Sequence, residues 1–307
     1  MSSILFQAAA FMFVMMEGVL MRKSHLVSDN AKEVVKQMMI YLTLPAVIIV
    51  SFSDSIKLDK NILILIPVGI VMNLIMVLFG LMITKQKPPA KRLLYALTLS
   101  GYNGGSFALP FVQSFMPPLG SVAVSVFDIG NAIICTGGSA MFCSEYLAEH
   151  RGRSSVSSVL KRLLYNPPLI TYCVMLPLTL LGIQLPKNFL TMLRPSANAS
   201  VFIAMMVLGL TFHMEFKKEY ITEIVKIVGL RNLFAVICAA FFYFVQPFDQ
   251  VVNQALILVS FAPASTMSII FVEKYGGDGG MAGAINSVSI VVSVIIMTCL
   301  AQLMGLG

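Results

Sequence analysis

The sequence predicts an all-α membrane protein with ten transmembrane helices arranged as two inverted five-helix repeats. Three observations lead there: scarce charge, closely spaced apolar runs, and basic residues confined to alternate loops. Of the 307 residues only 11% are charged while 58% are hydrophobic, with a mean hydropathy of +0.88. A soluble domain carries about 25% charged residues, so this chain lacks the charge to cover a water-facing surface, and soluble enzymes are excluded.

A spanning helix takes about 20 apolar residues. Read between charged, proline and glycine breaks, the runs fall at 4–21, 34–52, 61–84, 93–115, 120–147, 163–183, 196–213, 222–245, 251–273 and 280–304. The first has no basic residues ahead of it, and Arg22 and Lys23 follow it, which reads as a retained span and not a cleaved signal. Span 4 carries Asn103, Gly104, Gly105 and Pro110 within about two turns of its middle. Span 5 carries Asp128 and Asn131, and the polar stretch Ala148 to Lys161 after it divides the chain into a first repeat (1–147), a cytoplasmic linker (148–161) and a second repeat (162–307). Span 9 holds Pro263 followed by Ser265 and Thr266, and span 10 holds Asn286.

Twenty of the 21 Lys and Arg residues lie in loops or at span ends, the exception being Arg231. Sixteen of the twenty fall on one set of alternate loops, and only Lys57, Lys60, Lys187 and Arg194 on the other. Cytoplasmic loops collect Lys and Arg, so both termini are expected on the extracellular or periplasmic side of the plasma (cell inner) membrane. The net charge of +7 is accounted for by this bias, and no nucleic-acid partner is implied. Because five is odd, the second half enters the membrane from the side opposite the first, the inverted-repeat arrangement of many secondary transporters. Pro110 and Pro263 lie 153 residues apart, and Asn131 and Asn286 lie 155 apart, as weak traces of that symmetry.

Proline removes a backbone donor and clashes with the preceding turn, and amides freed inside a membrane must find partners. Spans 4 and 9 are therefore read as interrupted helices lining a polar cavity, the alternative being a kink or a close small-residue contact. Paired interruptions at matching positions point to a transporter binding site, where half-helix N-termini meet an anion. Asn103, Gly104, Gly105, Pro110, Asn131, Pro263, Ser265, Thr266 and Asn286 are the candidate substrate-binding residues. Asp128 is the candidate for coupling to a cation or proton, or for ordering the site with Asn131; the other reading is a structural carboxylate. Glu17 and Arg231 are read as pairing or snorkelling near the cytoplasmic boundary.

The histidines, His25, His150 and His213, sit in loops or at a span end, so no base is at membrane depth to activate a nucleophile such as Ser106. The five cysteines show no metal-ligand spacing. Neither a catalytic role, nor a metal, nor a cofactor is expected.

With ten spans, a break bounded by Asn103 and Pro110, the stretch Asp128-Ile129-Gly130-Asn131, Ala262-Pro263-Ala264-Ser265 and Tyr275-Gly276-Gly277-Asp278, the sequence resembles the auxin efflux carrier family over essentially its whole length. That family includes plant PIN-type carriers and bacterial malate or malonate permeases and is similar in fold to bile acid sodium symporters. The resemblance implies that spans 4 and 9 cross near the midplane to hold an organic anion. Spans 1, 2, 6 and 7 would form a scaffold, often dimeric, and spans 3–5 and 8–10 an elevator-like transport domain. Asn103, Pro110, Asn131 and Pro263 match the family pattern, and the resemblance makes Asn103 and Asn131 donors to a substrate carboxylate. The short joint favours a bacterial-type carrier over a plant hormone exporter. Span 9 also lacks the acidic residue of the sodium-coupled relatives. The expectation is a secondary transporter of small carboxylates, possibly auxin-like acids; a membrane receptor that senses a small ligand or sterol is the alternative, and a channel ranks last.

Overall fold

The apolar runs fold as helices in a computed structural model of the chain, which describes residues 2–55, 58–139, 141, 143, 156–212 and 217–306. The first half begins with α1 (Ser2–Lys23), α2 (Asp29–Met38) and α3 (Leu44–Asp54), continues through α4 (Leu65–Ile83) and α5 (Pro89–Leu99), and ends with α6 (Leu109–Phe115) and α7 (Pro118–Ile133). The second half comprises α8 (Val156–Leu164), α9 (Pro167–Leu180), α10 (Lys187–Asn198), α11 (Ser200–Thr211), α12 (Lys218–Phe244), α13 (Gln250–Ser260), α14 (Met267–Lys274) and α15 (Gly279–Leu303). Among the described residues, six continuous helical stretches are long and apolar enough to cross a membrane: Asn30–Asp54, Lys60–Ile83, Pro118–Gly138, Lys187–Thr211, Lys218–Phe244 and Gly279–Leu303. They are what an integral membrane protein requires.

The outer faces of these helices are apolar. Val71, Ile75, Leu78 and Met82 stand exposed along α4 at helical spacing, while Met72, Asn73, Met76 and Gly80 on its other side are buried. In water such a stripe would be covered; in a bilayer it faces lipid. Inside, Phe11 of α1 meets Phe111 and Phe115 of α6 edge-on at 5.8 and 5.7 Å between ring centroids, tying the short helix to the longest apolar core.

Prolines shape two of the joints. Pro45 and Pro110 are each the second residue of an α-helix, and each follows a π-helical turn, Met39–Thr43 and Gly104–Ala108. The wider turn accommodates a residue that brings no N–H and whose ring would crowd the preceding carbonyls. Pro110 thus lies inside a helix running from Gly104 to Phe115, seven residues beyond Asn103, and not at the break where the sequence placed it. Tyr275–Asp278 forms a tight glycine turn, with Gly276 at φ +81° and Asp278 accepting the Met281 N–H at 2.9 Å to start α15.

The joint between halves is only partly the expected polar linker. Residues 148–155, with His150, Arg151 and Arg153, lie outside the described residues, as do His213 and Glu215, but from Val156 the chain is helical through Leu164. Arg162 of that helix donates to the Thr136 carbonyl at 3.2 Å and stacks over Phe271.

Candidate functional site

Two helices stop inside the core, and their ends meet. α5 ends at Leu99 and the chain runs extended through Ser100 to Asn103; α13 ends at Ser260 and the chain runs through Phe261 to Thr266. The two stretches pair as a single antiparallel bridge between Tyr102 and Ala264. Asn103 N–H donates to the Pro263 carbonyl at 2.9 Å and Ser265 N–H to the Gly101 carbonyl at 3.3 Å. Gly101 has φ +77°, a backbone shape for which glycine is suited, and a side chain there would also strike Cys135 and Ser265.

This bridge has two open edges, and side chains close both. On one edge Asn131 of α7 imitates a neighbouring strand: its Oδ1 accepts Tyr102 N–H at 2.9 Å and its Nδ2 donates to the Tyr102 carbonyl at 2.8 Å. On the other, α15 divides the same task, Ser289 Oγ accepting Ala264 N–H at 3.1 Å and Asn286 Nδ2 donating to the Ala264 carbonyl at 2.6 Å. Asn73 of α4 takes the Gly101 N–H at 2.6 Å and donates to Asn131 at 3.3 Å. Where no water competes, an unpaired backbone group costs several kcal/mol, and these amides remove that cost.

Arg231 serves the carbonyls at the end of α5. Its Nη1 lies 3.2, 2.5 and 3.3 Å from the Thr98, Leu99 and Ser100 carbonyls, its Nη2 donates to Ala262 at 3.1 Å, and the guanidinium stacks over Tyr102 at 5.4 Å. A cation at a helix C-terminus is favoured by the helix dipole. The sequence reading of Arg231 as a boundary residue that snorkels or pairs with Glu17 is therefore corrected. It stands thirteen residues from either end of α12, about 20 Å at 1.5 Å per residue, and is buried at the crossing. A cleft beside it, between Asn232, Ser260 and Ser293, has room for about one water.

Asp128 faces the start of the helix that follows the first break. Its Oδ1 accepts Asn131 Nδ2 at 2.7 Å and its Oδ2 accepts the Tyr172 hydroxyl at 3.3 Å. Its carboxylate lies against Gly104 so closely that a Cβ there would sit 2.0 Å from Oδ1, and one on Gly105 3.3 Å from Oδ2. The glycine pair makes room for an acid at a helix N-terminus, where the dipole favours it. Beside it, Asn103 precedes that helix without capping it, and its Nδ2 is buried with no hydrogen-bond partner. An unsatisfied buried donor costs about 1–3 kcal/mol.

The predicted site residues divide accordingly. Asn103, Gly104, Gly105, Asp128, Asn131, Pro263, Ser265 and Asn286 are gathered at the crossing, and all but the glycines and Pro263 are polar side chains buried to nine-tenths. Pro110 is two turns away along its helix, and Thr266 is exposed. Asn131 has both donor hydrogens committed, to Tyr102 and Asp128, so in this state it holds the crossing and leaves the free donor to Asn103. Sequence reasoning missed Asn73 and Tyr172 and misread Arg231. For Asn73 and Arg231 the signal was present, since a lone polar residue deep in an apolar span is by default functional; for Tyr172, in the middle of its span, an aromatic ring among apolar residues reads as core, and nothing local distinguished it. Comparison with protein-family models and with curated proteins gives no match to this chain.

Proposed function

We propose that this chain is a secondary active transporter of small organic anions, carboxylates such as malate or malonate, built as the ten-span inverted repeat of the auxin efflux carrier family. The observation that supports it most is the unpartnered amide of Asn103, at the start of a half-helix beside a crossing of two interrupted helices. A carboxylate reaching that point gains a donor and the positive end of a helix dipole. Asp128 already lies against the same helix start, and two like charges there disfavour each other. Anion binding is thus tied to a proton or cation at Asp128, which is how flux of one would be coupled to the other.

In this reading the crossing belongs to a moving domain of spans 3–5 and 8–10. Tyr172 and Leu44, which face Gly105 and Asp128 from α9 and α3, belong to a scaffold of spans 1, 2, 6 and 7 that forms a homodimer. Both termini lie outside the plasma membrane. The experiment is counterflow in proteoliposomes loaded with malate, malonate or indole acetate, at two pH values and with and without sodium. Saturable exchange of a carboxylate, abolished by Asn103→Ala in a folded protein, is the expected result. Binding of a ligand with no exchange under any gradient would replace the transporter with the receptor reading.

A further inference from the structure

A second cavity, of about 510 Å³, lies apart from the crossing in the groove between α12 and the α4–α5 turn. At one end stand Lys87, Lys91 and Lys226. The acid beside them, Glu223, is already occupied, accepting Lys91 Nζ at 2.7 Å and the Tyr95 hydroxyl, so the groove keeps two cations in excess. Away from the lysines the wall is hydrocarbon: Val225 and Leu233 are 66% and 59% exposed, and a Cβ on Gly229 would meet nothing within 4 Å. From Lys226 to Leu233 the wall runs seven residues, about 10 Å of helix.

We propose that this groove is a binding site for an anionic phospholipid, its phosphate on Lys87 and Lys226 and the start of an acyl chain along Val225, Gly229 and Leu233. The charge pattern selects this occupant. A soluble anion would gain nothing from the exposed apolar wall, and a zwitterionic lipid would gain little from unneutralised lysines, whereas basic pockets between membrane helices suit anionic headgroups. The site does not depend on the transport reading, since it uses none of the crossing residues. It does use the same stretch of α12 that carries Arg231, which lies between Gly229 and Leu233, so its occupancy adds support to α12 and α5 together.

The test is lipid retention by native mass spectrometry on the delipidated full-length protein, offered dioleoyl phosphatidylglycerol, dioleoyl phosphatidylcholine or glycerol 3-phosphate. Wild type is expected to hold phosphatidylglycerol in preference to phosphatidylcholine. Each lysine near a membrane surface contributes about 1 kcal/mol, so the doubly substituted Lys87→Gln, Lys226→Gln protein should bind about tenfold or more weakly. Gly229→Leu, which keeps every charge but fills the groove, should also weaken binding, and the remote Lys187→Gln should not. Both lysines point outward, and size-exclusion profiles matching wild type establish that the variants are folded. Equal retention of the two lipids, or wild-type retention by the double variant, overturns the proposal. So does glycerol 3-phosphate binding as tightly as the lipid, which makes the groove a soluble-anion site, or a dimer lost in Gly229→Leu with lipid binding intact, which assigns the groove to a second copy.

Discussion

The two breaks at the crossing solve one backbone problem with different chemistry. At the first, Asn131 alone satisfies both backbone groups of Tyr102 and also binds Asp128, Asn73 and Cys135. At the second, Ser289 and Asn286 share the work on Ala264, with no acid among their partners. Only the first break carries a carboxylate against its following helix and an amide donor left over. The lesson is that pairing two interrupted helices demands satisfied edges on both sides, while ligand chemistry needs to be present on one side only.

Arg231 binds carbonyls from both breaks, so its loss tests the comparison hardest. Arg231→Met should destabilise the fold by about 3–4 kcal/mol, by leaving four carbonyls without their donor in a dry core. Thermal unfolding in detergent reads this out, and an Arg231→Met protein as stable as wild type would mean the crossing is not held from α12. Next, Asn131→Ala should cost about 2–3 kcal/mol and Asn286→Ala about 1 kcal/mol, in proportion to the groups each leaves unpaired. Equal losses would erase the asymmetry between the breaks.

Gly104→Ala should cost about 1–3 kcal/mol because its methyl meets the Asp128 carboxylate. Most of that loss should vanish when Asp128→Ala is combined with it, since the nearer obstacle is then gone; additive losses in the double-mutant cycle would place the clash elsewhere. No loss of stability is expected of Asn103→Ala, which should be as stable as wild type or more so, because its buried side-chain nitrogen has no partner in the fold to lose. Its carboxylate affinity, measured by titration of the detergent-solubilised protein, should fall at least tenfold, the cost of one lost charge-assisted bond. A large stability loss with unchanged affinity would turn Asn103 into a structural residue.

Much of this was legible in the chain itself. Apolar runs and sparse charge mark where membrane-length helices form, and the Gly104–Gly105 pair and Pro263 mark where two of them stop, because glycine and proline act on the backbone locally. The same local reasoning misplaced Pro110, for a proline late in an interrupted span reads as the break itself, whereas a π-helical turn ahead of it lets the helix continue. It also misjudged Arg231, whose distance from the membrane edge depended on how far α12 extends before its first apolar residue.

By itself the sequence determined that the chain is helical, apolar on its outside and interrupted at two places, since propensity, hydropathy and proline geometry are properties of neighbouring residues. Only the tertiary structure decided that the interruptions meet at Tyr102 and Ala264, that Asn131 and Asn286 close their edges, and that Asp128 rests on Gly104. Those contacts join residues 22 to 162 positions apart, and which buried donor finds which acceptor is fixed by how the helices pack, not by any pattern along the chain.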